Sequence, residues 1–280
     1  MRIVMTVLAF TLAGSAMAVE PKTLLDVPYA GTDNVRQTLD VFAPPEGKDR
    51  PVVVWVHGGG WQKGSKAEVK VKPQAFVDAG YVFVSINYRL LPEATIGQMA
   101  GDVAKAIRWV HDHAREFGGS PDTLFVMGHS AGAQLAALVC TDDSYLAAEK
   151  LKLNVIKGCV PVDGDTYDVP LQIKTVEQRR ADIYRMKFGE LESRKKLSPI
   201  THATKGKDIP PFLILHVAGH PETQLQSRNL IKALEDVGVR GKAYGAEGKN
   251  HTTINDELGV ADDKPSAEMF NFLKECLKAK

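Results

Sequence analysis

The sequence predicts an α/β protein with a mostly parallel central sheet flanked by helices. Short apolar runs, typical of strands that are buried on both faces, recur along the chain. Segments with helical spacing of their apolar residues lie between these runs, and glycines end several of them. Strands that alternate with helices in this way are joined by right-handed crossovers into a parallel sheet.

The predicted elements follow in a regular order. The strands are 51–57, 81–87, 123–127, 155–162, 211–217 and 241–246. The helices are 74–79, 96–117, 131–139, 225–237 and 267–277. Before them, 35–42 alternates apolar and polar residues, as an antiparallel edge hairpin does. The stretch 165–208 interrupts the order with a higher charge and a helical centre near 176–188, and we interpret it as a small lid-like insertion over the site.

Length and charge limit the classes of function. The chain has 280 residues, a formal net charge of +1 and 44% hydrophobic residues, which suits one enzyme domain over 19–280. It contains no run of five or six like charges, so the sequence does not predict a nucleic-acid partner.

The first residues are typical of a secretory signal peptide. Arg2 precedes an apolar stretch over 3–13, and Ala16-Met17-Ala18 is a small-residue cleavage site. The apolar stretch is too short to span a membrane. We therefore predict that residues 1–18 are removed, that the mature protein is periplasmic or secreted, and that it has no membrane partner.

Three cysteines, Cys140, Cys159 and Cys276, lack the spacing of a metal site or a C-x-x-C motif. Each lies in an apolar segment. One disulfide could form in an oxidising compartment, but the pattern favours three buried thiols.

Gly128-His129-Ser130-Ala131-Gly132 follows a predicted strand and opens a predicted helix. A G-x-S-x-G sequence in that setting is typical of a nucleophile elbow, a tight turn that holds the serine hydroxyl above the sheet edge. We predict Ser130 as the nucleophile; the alternative is a serine that only caps the helix. His129 is predicted to pack or cap rather than catalyse, and we count it among the substrate-binding residues.

His57-Gly58-Gly59-Gly60-Trp61 also follows a buried strand. Attack on an ester carbonyl builds negative charge on oxygen, and backbone N–H donors must already be in place to stabilise it. We predict Gly59, Gly60 and Ala131 as these donors. The loop lacks the spacing of a phosphate-binding P-loop. Trp61 is predicted either to line the substrate pocket or to pack beneath the loop.

The general base is predicted from its place in the chain. In α/β hydrolases the order is serine, acid, histidine, and the histidine follows the last strand. Of the eight histidines, only His251 stands directly after the last predicted strand.

Three motifs together carry a family resemblance: HGGGW at 57–61, NYR at 87–89 and GHSAGA at 128–133. They resemble the small carboxylesterases related to hormone-sensitive lipase, over most of residues 35–277. The usual elbow of those enzymes has Asp before the serine, whereas this chain has His129. That difference points to the branch with feruloyl esterases and kynurenine formamidase-like hydrolases. The resemblance implies an α/β-hydrolase fold and Ser-His-acid chemistry without a metal or cofactor.

The acid departs from the family pattern. The resemblance implies an H-G-x-x-D turn after the strand 211–217, where this chain has His220 in place of the Asp. Imidazole is poorly suited to stabilise an imidazolium. Glu222 is the only carboxylate in that turn, and we predict it as the acid. Asp163 and Asp165, after the preceding strand, are the reserve candidates.

Together these features predict an exported serine carboxylesterase for small to medium esters, such as acetyl or feruloyl esters of polysaccharides, that acts as a monomer or dimer. An arylformamidase-type amide hydrolase would use the same residues, although export does not suit tryptophan breakdown. A binding protein on a hydrolase scaffold would fit the missing Asp, although the chain keeps both Ser130 and His251.

Overall fold

One eight-stranded sheet forms the centre of the protein in a computed structural model that describes residues 20–278. The predicted signal peptide, 1–18, lies outside the described residues. The strands are β1 (Lys22–Pro28), β2 (Thr38–Ala43), β3 (Arg50–Val56), β4 (Val82–Ile86), β5 (Gly119–His129), β6 (Ile156–Val162), β7 (Phe212–Val217) and β8 (Gly241–Ala246).

The strand order is β1-β2-β4-β3-β5-β6-β7-β8. Strand β2 pairs antiparallel with β1 and with β4, and every other neighbouring pair is parallel. This confirms the predicted α/β class with a mostly parallel sheet. In the central strand β3, Val52–Val56 are all at most 1% exposed, because helices cover both faces of the sheet.

Helices pack on both faces. They are α1 (Lys72–Asp78), α2 (Ile96–His113), α3 (Ala131–Thr141), α4 (Asp143–Ala148), α5 (Val169–Thr175), α6 (Gln178–Phe188), α7 (Leu191–Lys196), α8 (Pro221–Asp236), α9 (Thr253–Asp256) and α10 (Lys264–Lys278). Residues of α2, α3 and α8 join one hydrophobic cluster, and residues of α1 and α10 join a second. Among the helices within residues 20–278, none has both the length and the apolar composition to cross a membrane.

The first strand was not predicted from the sequence. Most residues of β1 are exposed, because it is the edge strand and covers little of the core, so it lacks an apolar pattern. A buried lysine connects β1 to β2. Lys66 Nζ donates to Asp26 of β1 at 2.7 Å and to Asp40 of β2 at 2.5 Å.

The carboxyl ends of the parallel strands meet at one edge of the sheet. The glycine loop leaves β3 there, the elbow leaves β5, and turns that carry acidic residues leave β6 and β7. Between β6 and β7 the chain forms α5, α6 and α7, and α6 lines a cavity at this edge. Cys140, Cys159 and Cys276 are free and buried, which confirms the prediction of three thiols.

Candidate active site

Ser130 lies in a strained turn between β5 and α3. Its φ is +55° and its ψ is −118°, a conformation that side chains rarely adopt. The flanking glycines allow this turn. A Cβ on Gly128 would lie 2.4 Å from the carbonyl oxygen of Gly132, and a Cβ on Gly132 would lie 2.2 Å from that of Val56. The turn therefore has the geometry expected of a nucleophile elbow.

Three side chains form a continuous hydrogen-bonded chain at the elbow. His251 Nε2 lies 3.0 Å from Ser130 Oγ, and His251 Nδ1 lies 2.7 Å from Asp163 Oδ2. The structure thus brings the predicted nucleophile and base together, although 121 residues separate them in the sequence. The arrangement has the geometry of a Ser-His-Asp triad.

The carboxylate that bonds to His251 belongs to Asp163. The prediction of Glu222 as the acid is therefore wrong. Glu222 Oε1 instead accepts from Arg180 Nη1 at 3.2 Å, and its Oε2 lies 3.6 Å from His220 Nε2. Glu222 is the second residue of α8. Its partners are therefore Arg180, in an ion pair, and His220, rather than the base.

Asp163 is held for this contact by its surroundings. It directly follows β6, has a φ of +48° and is 1% exposed. Its second oxygen, Oδ1, accepts the backbone N–H of Val217 at 3.0 Å. Burial alone would raise its pKa, but the hydrogen bonds from His251 and Val217 hold the pKa of Asp163 below its usual value. The carboxylate is therefore charged, and its hydrogen bond raises the pKa of His251.

Asp165, the other reserve candidate, has different partners. Its Oδ2 accepts from the hydroxyl of Tyr184, from Arg180 Nη2 at 3.2 Å and from Gln172 Nε2 at 3.1 Å. All three partners belong to α5 or α6. Asp165 therefore ties these helices to the turn after β6.

His129 contacts the base, His251. Its Nε2 donates to the backbone carbonyl oxygen of His251 at 2.9 Å, and the two rings lie 4.5 Å apart. Burial lowers the pKa of His129 to about 3, so the ring is neutral. His129 also borders a cavity at the site, its role in binding substrate stays a prediction, and its polar contact supports His251.

The glycine loop has the conformation that backbone donors require. Gly59 has a φ of +116°, and a Cβ there would lie 2.1 Å from the carbonyl oxygen of Lys63. Within residues 20–278 the N–H groups of Gly59 and Gly60 form no hydrogen bond with another backbone group. Ala131 is the first residue of α3, where the helix itself leaves the N–H unpaired. All three predicted oxyanion donors border the cavities at Ser130.

Two cavities meet at Ser130. The first, the α6 cavity, has a volume of about 340 Å³ and lies beneath α6. Its wall includes Trp61, Ala131, Ile183 and Tyr184. Trp61 is 4% exposed and donates through Nε1 to Gln134, so it both packs beneath the loop and borders the cavity.

The second, the loop cavity, has a volume of about 680 Å³. It lies between the glycine loop and the segment after the base. Its polar wall residues include Gln62, Lys63, Glu68, Thr252 and Asn255. Within residues 20–278 no group of three or more His, Cys, Asp or Glu is arranged to hold a metal ion.

The sequence predicts a helical centre near 176–188 over the site, but it does not identify the α6 residues that contact the glycine loop. Lys187 donates to the carbonyl oxygen of Gly60 at 2.9 Å, and Phe188 packs edge-on against Trp61 at 5.0 Å. These residues sit in a charged helix whose pattern resembles an ordinary solvated surface. Only their position above the glycine loop distinguishes them, and no local signal could have shown it.

The chain is similar in sequence to curated hydrolases and in fold to solved esterase structures. Esterase LipQ of Mycobacterium tuberculosis is 30% identical over 237 residues, which are 78% of this chain and 54% of LipQ. Kynurenine formamidase of Danio rerio is 28% identical over 85% of this chain and 77% of its own. The butyrate-bound esterase 2 of Thermogutta terrifontis superposes with a TM-score of 0.70 at 25% identity, over 94% of each chain. This chain spans about half the length of LipQ.

A family model named BD-FAE matches residues 39–234, from the second strand to the helix that follows β7. This span includes the glycine loop, the elbow and Asp163, and it ends before His251. The match confirms the resemblance to carboxylesterases drawn from the three sequence motifs. The chain is a member of the BD-FAE family and has the α/β-hydrolase fold.

Proposed function

We propose that the protein is an exported serine carboxylesterase that hydrolyses small to medium esters through an acyl-enzyme. One observation carries the proposal: the chain of hydrogen bonds from Ser130 through His251 to a buried Asp163, placed where two cavities meet. The strained elbow adds support, because strain of this kind is retained at functional sites.

In the proposed acylation step, the three side chains of the hydrogen-bonded chain act together. His251 Nε2 accepts the proton of Ser130 Oγ as the oxygen attacks the ester carbonyl carbon. The carbonyl oxygen becomes an oxyanion, and the N–H groups of Gly59, Gly60 and Ala131 stabilise it. Asp163 stabilises the resulting imidazolium. The C–O bond of the ester then breaks, and the alcohol leaves with the proton from His251.

Deacylation repeats the sequence with water. His251 takes a proton from a water molecule as the water oxygen attacks the carbonyl carbon of the acyl-enzyme. A second oxyanion forms. When that intermediate collapses, the bond to Ser130 Oγ breaks and the serine regains its proton from His251. The carboxylic acid is released, and the enzyme returns to its starting state.

The α6 cavity favours small to medium acyl groups. α6 forms one wall of this cavity, whose volume of about 340 Å³ gives a short or medium acyl chain more room than a long fatty one. Acetyl and feruloyl groups are within this size range. Their esters with polysaccharide fragments are substrates that an exported enzyme would meet. Kynurenine formamidase among the relatives makes N-formyl amides the second class of substrate to assay.

The first test is hydrolysis of p-nitrophenyl esters from acetate to decanoate, with labelling by a fluorophosphonate probe. We expect Ser130→Ala to lose activity by about 10⁶-fold and to lose the label. The matched control is Ser144→Ala, which changes an exposed serine on α4 and should behave as wild type. A labelled protein that cleaves formamides but no ester would support the amidase instead. A protein without label or activity would support a binding role.

Export needs its own test. We expect the full chain, expressed in a Gram-negative host, to be recovered from the periplasm or medium with a mature N-terminus at Val19. Recovery from the cytoplasm with residues 1–18 intact would contradict export and leave the esterase proposal unchanged.

A further inference from the structure

We propose that Lys72 is a positioning residue for the base, and that its buried amine holds the short helix α9 that follows His251. This inference rests on the proposed esterase function. It assigns a part in that reaction to a residue that neither touches the substrate nor transfers the proton.

The base is not held by burial of its own side chain. The side chain of His251 is 52% exposed, and α9, which begins two residues after it, has only four residues. A helix this short does not persist on its own backbone hydrogen bonds. The position of the imidazole beside Ser130 therefore depends on the contacts that hold residues 251–256 to the rest of the protein.

Local hydrogen bonds give this segment its shape. Asn250 Oδ1 accepts the N–H groups of Thr252 and Thr253, both at 2.9 Å. These bonds lie within the segment, so they do not fix its place relative to the sheet. Ile254 does contact the core and is 1% exposed. Apolar burial is non-directional, however, so directional hydrogen bonds are needed to fix the orientation of the helix.

Two side chains from outside the segment supply such bonds, one near each end. His129 Nε2 donates to the carbonyl oxygen of His251 at 2.9 Å. Lys72 Nζ donates to the carbonyl oxygen of Asn255 at 2.6 Å, across 183 residues of sequence. His129 belongs to the nucleophile elbow, and Lys72 is the first residue of α1. Together they fix both ends of the segment that carries the base.

Lys72 is 0% exposed, which is rare for a lysine. Its Nζ lies 4.7 Å from the centroid of the Trp55 ring in β3. Burial lowers the pKa of Lys72 to about 7, an effect that Asp256 opposes. Burying a charged amine is costly, and an apolar side chain of similar volume would fill the same space without that cost. The bond to Asn255 is an interaction that only the amine can make, so it accounts for a lysine at this position.

The test compares two buried lysines, each changed to methionine, which has a similar shape and no amine. Lys72→Met should lower kcat for p-nitrophenyl acetate about tenfold and leave KM within about twofold, because a displaced base slows the chemical step after the substrate has bound. The matched control is Lys66→Met, which breaks the bonds to Asp26 and Asp40 at the edge of the sheet. It should lower the free energy of unfolding in urea and leave kcat within about twofold of wild type.

A second variant separates the hydrogen bond from a general effect of changing the core. Lys72→Gln keeps an N–H donor, but it is shorter and uncharged, so its bond to α9 should be weaker. We expect a loss of kcat of about threefold, between wild type and Lys72→Met, again with KM unchanged. If Lys72→Met does not fold, Lys72→Gln alone tests the proposal, and a wild-type kcat in that variant would overturn it.

Three results would overturn the positioning role while the esterase function stands. They are a wild-type kcat in folded Lys72→Met, equal losses in Lys72→Met and Lys72→Gln, and a loss of kcat in Lys66→Met as large as that in Lys72→Met. If the wild type cleaves no ester, the esterase proposal fails, and the rate at which a fluorophosphonate probe labels Ser130 then replaces kcat in the same comparison. A wild type that is not labelled either would overturn both.

Discussion

Two turns at the carboxyl edge of the sheet, 163–165 after β6 and 218–222 after β7, lie beside the same cavity and both carry acidic residues. In the first, Asp163 is buried and reaches the base at 2.7 Å. In the second, His220 replaces the expected Asp, and Glu222 pairs with Arg180. The N–H of Val217 in β7 nevertheless binds Asp163 at 3.0 Å. Strand β7, whose following turn lacks the expected Asp, therefore still helps to position Asp163. The same fold can place the acid after β6 instead of after β7.

The largest effect should come from Asp163→Asn. Asn cannot stabilise the imidazolium, and it can hold the base in the wrong tautomer, so we expect kcat to fall by about 10⁴-fold. Steady-state hydrolysis of p-nitrophenyl acetate measures it. A fall of less than tenfold in a folded variant would show that another carboxylate serves as the acid.

The pH profile should change in the same variant. Asp163 raises the pKa of His251, and only the neutral ring accepts the serine proton, so kcat/KM falls as the pH drops through that pKa. In Asp163→Asn the acid limb of the residual activity should move to lower pH. An unshifted limb would mean that Asp163 does not set the pKa of His251.

A smaller loss is expected from His129→Leu, which removes the donor to the carbonyl oxygen of His251. One lost hydrogen bond costs about 1 kcal/mol, so kcat should fall about five- to tenfold with KM unchanged. His129→Gln keeps an N–H donor and should recover most of the activity. If Leu and Gln behave alike, the ring acts only by packing.

The smallest effect should come from Glu222→Gln, which removes one ion pair from a partly exposed arginine. Such pairs contribute about 0–1 kcal/mol. We expect kcat to stay within about twofold of wild type and the free energy of unfolding to fall by less than about 1 kcal/mol. A large loss of kcat, measured beside Asp163→Asn, would restore Glu222 as the acid.

Much of the fold could be predicted because its parallel strands are buried on both faces. Their sequences are therefore continuous runs of apolar residues. Strand β1 could not be, since an exposed edge strand has no such pattern. Ser130 and His251 were predictable from their places after strands. The acid was not: turns after adjacent strands meet in space, and the sequence does not show which carboxylate is buried. The useful signal was Asp163 directly after a buried strand, together with an H-G-x-x-D turn that lacks its Asp.

The most direct measurement of the central claim is the downfield ¹H NMR resonance of the His251 Nδ1 proton at low pH, where the ring is charged. This proton reports the hydrogen bond between the base and its acid. We predict that the resonance is present in the wild type and in Glu222→Gln, and absent in Asp163→Asn. Its survival in Asp163→Asn and loss in Glu222→Gln would contradict the assignment of the acid to the turn after β6.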